Sequence, residues 1–285
     1  MPVFRWIIAT AVLMLLVVEV AKSEPYTLPN TEVVTRPKAK NGVNYQLYIH
    51  VPDACSKAEQ GCKTVYLLDA DYSFALSTQI VTHLSDRNRI PPVISVAIAY
   101  PDKTSYRQSR TRDYTPFFVA EGGYGKSVQS LSGGGPAFLS VLEEEIIPFV
   151  EKHYPADSQG RILVGHSYGG LFAVNAWVSS PDVFSDYIIV SASLWYGNKA
   201  TLDAVKQACA KSDSAHKAKL FLAVGEYEEQ PENGRAMVSD LNKLAKLMSS
   251  CKKRSVMVYK RIFEDETHAS IFPAAYSTGL RKHLQ

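Results

Sequence analysis

Cysteine, net charge and long apolar runs are all scarce in this chain of 285 residues. The four cysteines, Cys55, Cys62, Cys209 and Cys251, form no Cys-x-x-Cys pair and have no histidine at ligand spacing, so a zinc site is not expected. Formal charge is only +3, and the basic side chains are scattered. No stripe is left to follow a phosphate backbone, which argues against nucleic acid as a partner. The longest apolar stretch, Trp6 to Val18 with Thr10 inside it, is shorter than the ~20 residues a membrane-spanning helix needs. Internal repeats and low-complexity tracts are absent.

That apolar stretch follows Arg5 and precedes Ala21-Lys22-Ser23, a small-x-small site. Residues 1–23 therefore read as a secretory signal peptide, with a membrane anchor as the rival reading. A single domain, residues 24–285, would remain after cleavage, without a membrane span, in a periplasm or outside the cell. Export would give the even cysteine count a meaning, since oxidising compartments favour disulfides. Three pairings are possible. Cys55–Cys62 would close a short loop, Cys209–Cys251 would join two predicted helices, and four buried thiols are the alternative.

At 46% hydrophobic content the chain can bury a sizeable single core. Alternation around Asn41-Gly42 predicts a hairpin over 31–52, with Tyr45, Leu47, Ile49 and Val51 on one side. Apolar runs then predict strands at 63–68, 93–100, 162–164, 187–191, 219–224 and 256–263. Helical spacing falls between them at 72–84, 138–154, 171–178, 202–210, 235–250 and 270–284. Residues 101–136 read as one long connection. The pattern predicts an α/β fold: a mostly parallel eight-stranded sheet, helices on both faces, laid out as an α/β-hydrolase.

The chemistry centres on Gly165-His166-Ser167-Tyr168-Gly169, which ends the fifth strand and opens a helix. A serine on so sharp a turn needs small residues two before and two after, and it stands exposed above the sheet edge as a nucleophile. Its hydroxyl needs a base and the base an orienting acid, in the chain order serine, acid, histidine. His268, in the loop after the last strand, is the candidate base; His166 would pack beside the serine rather than face it. Gly225-Glu226-Tyr227-Glu228-Glu229 follows the seventh strand and offers Glu228 as the acid, with Glu226 as runner-up. Backbone N–H groups of Tyr168 and Asp71 are the candidate oxyanion hole.

Gly165-His166-Ser167-Tyr168-Gly169-Gly170-Leu171-Phe172, Ser191-Ala192-Ser193-Leu194-Trp195, Arg110-Thr111-Arg112-Asp113-Tyr114-Thr115-Pro116 and Leu67-Leu68-Asp69 resemble the putative-esterase (esterase D) branch of the α/β-hydrolases. Within that branch the chain looks closest to siderophore esterases that cut catecholate trilactones such as enterobactin and salmochelin. The resemblance implies hydrolysis of a small-molecule carboxylic ester through an acyl-serine, without metal or organic cofactor. Some periplasmic members use a serine–histidine dyad, so triad and dyad both stand. It also implies that Arg107, Arg110 and Arg112 border the site and hold an anionic substrate, local salt bridges being the alternative. Trp195 either walls an aromatic pocket or fills core. An acyltransferase and a non-catalytic binding protein are the rival functions; a broken elbow or a missing late histidine would mark the second, and neither is seen.

Overall fold

A computed structural model describes residues 23–211, 217–251 and 255–285. All of the expected signal segment except Ser23 lies outside them. The first strand, β1 (Thr31–Thr35), pairs antiparallel with β2 (Gln46–His50), the hairpin that the alternation predicts. Then follow β3 (Cys62–Leu67), α1 (Ala70–Asp86) and β4 (Ile94–Ala99). Every residue of β4 is buried, as its uninterrupted apolar run requires of a strand covered on both faces.

The predicted connection 101–136 contains two helices, α2 (Tyr106–Tyr114) and the short α3 (Lys126–Gln129). The α2 sequence, Tyr-Arg-Gln-Ser-Arg-Thr-Arg-Asp-Tyr, carries no apolar stripe. Its inward face is made instead of Ser109, Arg110, Thr111, Asp113 and Tyr114, all buried. Period counting on apolar residues cannot find a helix whose inner face is polar and paired.

Next come α4 (Gly135–Val141) and α5 (Ile147–His153), one helical run joined through a wide turn at Leu142–Ile146. Pro148 lacks an N–H and would clash with the carbonyl four residues back, which the wide turn relieves. The strand β5 (Ala156–His166) runs through Ser167 into α6 (Tyr168–Ser179). It is longer than the apolar run suggested because its first half is polar at the sheet's margin. After it come β6 (Asp186–Val190), α7 (Tyr196–Lys211), β7 (Lys217–Gly225) and a two-residue hairpin of β8 (Glu229–Gln230) and β9 (Arg235–Ala236). Then α8 (Met237–Ser249), β10 (Ser255–Phe263) and α9 (Phe272–Leu284) close the chain.

The large sheet has eight strands in the order β1-β2-β4-β3-β5-β6-β7-β10, antiparallel over the first three and parallel from β4 onward. Two apolar cores cover it. One joins α4–α8 to the sheet through residues such as Phe138, Phe172 and Leu244; the other packs α1 and α9 through Phe74, Phe272 and Tyr276. Disulfides Cys55–Cys62 and Cys209–Cys251 settle the pairing, the second tying α7 to the end of α8. No helix among the described residues is long and apolar enough to cross a membrane.

Candidate active site

Parallel strands leave their carboxyl ends at one edge of the sheet, and loops there collect functional side chains. Ser167 sits at that edge with φ 60° and ψ −117°, a conformation that costs a non-glycine residue energy and is held by its surroundings. A Cβ at Gly165 would come within 2.1 Å of the Gly169 carbonyl oxygen, and one at Gly170 within 2.9 Å of Ala192 Cα. At Gly169 the closest approach would be an ordinary 3.4 Å. The second close approach therefore falls on Gly170, one residue later than the elbow pattern alone suggests.

The Ser167 hydroxyl is 3.3 Å from that of Ser193, and among the described residues it forms no hydrogen bond to His268. His268 nonetheless lines the same hollow, of about 690 Å³. Its Nδ1 lies 2.5 Å from Glu228 Oε2. A carboxylate only accepts, so Nδ1 carries the proton and Nε2 keeps its lone pair. Glu228 is buried, at 4% exposure, and its other oxygen accepts from the Ser191 hydroxyl at 2.6 Å and the Gly225 N–H at 2.7 Å. Burial alone would raise its pKa, but the hydrogen bonds from His268, Ser191 and Gly225 outweigh it and hold the carboxyl below the usual range.

Gly225 also fixes the histidine loop. A Cβ there would sit 2.3 Å from the Glu266 carbonyl oxygen, which accepts instead from the Tyr227 N–H at 3.1 Å. Glu226, the alternative acid, turns away and accepts from the Asp265 N–H at 3.2 Å. One carboxylate thus orients the imidazole while its neighbour braces the loop carrying it. His166 lies beside Ser167 and against His268: its ring centroid is 4.6 Å from that of His268 and its Nδ1 is hydrogen-bonded to the Tyr72 hydroxyl. Burial and the neighbouring His268 push its pKa down to about 3, so it stays neutral beside His268.

The three expected arginines part company. Arg110, buried between four tyrosine rings, grips Asp69 with two hydrogen bonds of 2.9 and 3.1 Å and donates to the Tyr124 hydroxyl at 2.7 Å. It lines the hollow, but its fork is already committed. Arg112 binds Asp113 at 2.7 and 2.9 Å and borders neither hollow that opens on Ser167; the salt-bridge alternative holds for it. Arg107 stacks on Tyr124 from outside and borders neither as well. Trp195 lines the large hollow, its ring 6.0 Å from Tyr168, and also packs against the core, so both readings describe it.

Tyr168 is the first residue of α6, where helix N–H groups have no partner within the helix. Asp69, in a left-handed conformation, donates its own N–H to the Tyr114 hydroxyl at 3.1 Å, leaving the first turn of α1 as the place for a second donor. Asp71 lies in that turn, its carboxylate 3.6 Å from Lys103 and outside both hollows. The smaller hollow, about 340 Å³, shares Ser167, His268, Arg110 and Tyr124 with the larger. Ser191, Ser193 and Arg235 are site residues that sequence reasoning missed. The two serines lie in a segment already quoted for its resemblance, but serine is too common a residue to be singled out. Nothing in the sequence marks Arg235.

Residues 39–275 match the family described as Putative esterase. The chain is 30% identical over 255 residues to the siderophore enterobactin esterase of Emericella nidulans, covering 80% of this chain and 83% of that one. It is 30% identical over 248 residues to the apo-salmochelin esterase of Escherichia coli, covering 83% and 74%. Against the ferri-bacillibactin esterase BesA of Bacillus subtilis it is 25% identical over 267 residues, 91% of each chain. Among solved structures, the BES protein from Bacillus cereus superposes with a TM-score of 0.80 at 26% identity, over 93% of this chain and 99% of that one. An IroE-like serine hydrolase from Shewanella oneidensis gives 0.76 at 26% identity, over 88% and 79%.

Proposed function

The chain belongs to the Putative esterase family and is a hydrolase acting on esters; from that premise we propose an exported serine esterase that opens siderophore esters through an acyl-serine. The observation that carries the mechanism is the meeting of Glu228, His268 and Ser167 in one hollow, with Glu228 bonded to His268. In this reading His268 Nε2 takes the Ser167 proton as Oγ attacks the ester carbonyl. The backbone N–H groups of Tyr168 and Asp71 receive the developing oxyanion. His268 then returns the proton to the leaving alcohol, and a water attacks the acyl-serine by the same route. Apo geometry in such sites is often loose and tightens with substrate, so the serine's present turn toward Ser193 does not weigh against the base.

The substrate class rests on relatives named for enterobactin, salmochelin and ferri-bacillibactin, and on a hollow walled by Tyr124, Tyr168, Trp195 and Tyr227. Aromatic walls suit aryl groups such as catechols. Export rests on the segment at 1–23 and on the two disulfides, which persist in oxidising compartments. The test is labelling by a fluorophosphonate probe, read by intact mass, alongside hydrolysis of a catecholate trilactone. Wild type should gain one adduct and cut the lactone. Ser167→Ala should gain none and lose about 10⁴-fold or more in kcat. Labelling of Ser167→Ala, or a tenth of wild-type activity in it, would overturn the assignment.

A further inference from the structure

Of the fixed charges around the large hollow, Arg110 is matched by Asp69, and the Glu228 carboxylate is held by hydrogen bonds from His268, Ser191 and the Gly225 N–H. Arg235 also lines the hollow, and among the described residues no carboxylate meets it. Its guanidinium lies over the Trp195 ring, 5.1 Å from the centroid, which holds the cation in place without neutralising it. The nearby acids point elsewhere. Glu229 accepts from the N–H and hydroxyl of Ser239, and Glu226 from the Asp265 N–H. Arg235 pairs with Gln230 in the β8–β9 hairpin, whose turn is set by Gly234 at φ 70°. That hairpin begins one residue after Glu228, so the rim cation and the orienting acid are built on the same stretch of chain.

We infer that Arg235 is the residue that reads negative charge on the substrate, a role the family resemblance implied for Arg107, Arg110 and Arg112, with local salt bridges as the alternative. An anionic group entering the hollow meets this one uncompensated cation, already preorganised on an aromatic face at low entropic cost. Arg110 then acts as the wall that holds Asp69 and Tyr124. The inference rests on the esterase reading, and its test separates the two.

Four esters serve: para-nitrophenyl butyrate and its acyl-charged counterpart para-nitrophenyl hemisuccinate, and para-carboxyphenyl butyrate with its neutral methyl ester. The readout is the ratio of KM for the charged ester to KM for the neutral one. For at least one pair, Arg235→Ala should raise that ratio about tenfold, the scale of one charged hydrogen bond at an accessible site, with kcat nearly unmoved. Arg235→Lys should recover part of it and Arg235→Glu should raise it further. Whichever pair responds tells whether the acyl or the alcohol side lies in the large hollow. Salt near ~1 M should raise the wild-type ratio and leave that of Arg235→Ala flat. Unchanged ratios for both pairs in Arg235→Ala and Arg235→Glu would overturn the inference while the esterase reading stands. If wild type turned over no ester, the esterase reading would fall instead. Binding of the charged and neutral esters to Ser167→Ala, with and without Arg235→Ala, would then still decide the role of Arg235.

Discussion

Two histidine–carboxylate pairs sit at opposite ends of the same sheet, and only one opens on the hollow with Ser167. At the carboxyl edge, His268 meets Glu228 at 2.5 Å with its side chain 43% exposed. At the amino edge, His283 Nδ1 lies 3.2 Å from Asp186 Oδ1 and the ring is fully buried. Its Nε2 faces the Tyr187 carbonyl oxygen at 3.0 Å. Both ring nitrogens of His283 are thus turned to acceptors inside the core. His268 keeps its Nε2 lone pair, and the hollow with Ser167 lies before it. The pairing makes neither of them a base; what the second nitrogen faces decides.

The largest effect should come from breaking the comparison at the imidazoles. His268→Ala should lower kcat by about 10⁴, or ~5.4 kcal/mol of barrier, with the melting temperature little changed. His283→Ala strands the Asp186 carboxylate, which retains Lys63 at 3.6 Å and the Ser185 hydroxyl at 2.8 Å. It should cost about 3 kcal/mol of unfolding free energy while each folded molecule keeps near-normal kcat. Urea melts and kinetics on both variants check the split. The assignment fails if the two variants lose activity alike.

That contrast also shows what the sequence could reveal. Chain order after the elbow pointed to His268 because the fold places its base after the last strand, and the apolar periods located all eight strands of the large sheet but not the short β8–β9 hairpin. They could not locate α2, because Arg110 and Asp113 are buried through polar partners, Asp69 and the hydroxyls of Tyr45 and Tyr100, that lie 13 to 68 residues away in sequence. For the same reason three arginines in one segment looked alike. Whether an arginine is free depends on which carboxylate the fold brings to it. Arg235 was invisible because its partner is a ring forty residues upstream, and the roles of Glu226 and Glu228 separate only through the Gly225 turn.

A middle-sized effect should come from the carboxylates. If Glu228 orients the imidazole, Glu228→Gln leaves the proton misplaced and costs up to about 10⁴ in kcat. If the loop alone holds His268, the loss stays below about tenfold, or ~1.4 kcal/mol. The geometry favours the first, since Glu228 is tied on both oxygens. Asp186→Asn should leave kcat alone and lower stability by about 3 kcal/mol. A loss of under tenfold in Glu228→Gln would make the enzyme a dyad.

The smallest effect is on pH and turns on His166, the neutral ring beneath His268. Burial comes first and the His268 ring second in pushing its pKa down to about 3. An unfolded chain would protonate this group near ~6.5. Between those values the unfolded state binds a proton that the folded state refuses, so stability is full above ~6.5 and falls as pH falls toward 3. The carboxylates act in another window. Burial would raise both Glu228 and Asp186, yet their hydrogen bonds and charged partners hold them below the usual range. Their contribution is present above about pH 4 and is lost only as pH drops through the folded values. From pH ~6.5 to ~4.5 the slope therefore belongs to histidines pushed down by burial, His166 and, at the far side of the sheet, His50. A full proton would be worth ~1.4 kcal/mol per pH unit; the partial exposure of His166 reduces this to roughly half. His166→Gln removes that share and leaves the slope from His50. The variant should thus lose about 1 kcal/mol less than wild type between pH 7 and 4.5, measured by urea melts at both values. Equal losses in the two proteins would mean that His166 takes up its proton in the folded state, beside the His268 ring.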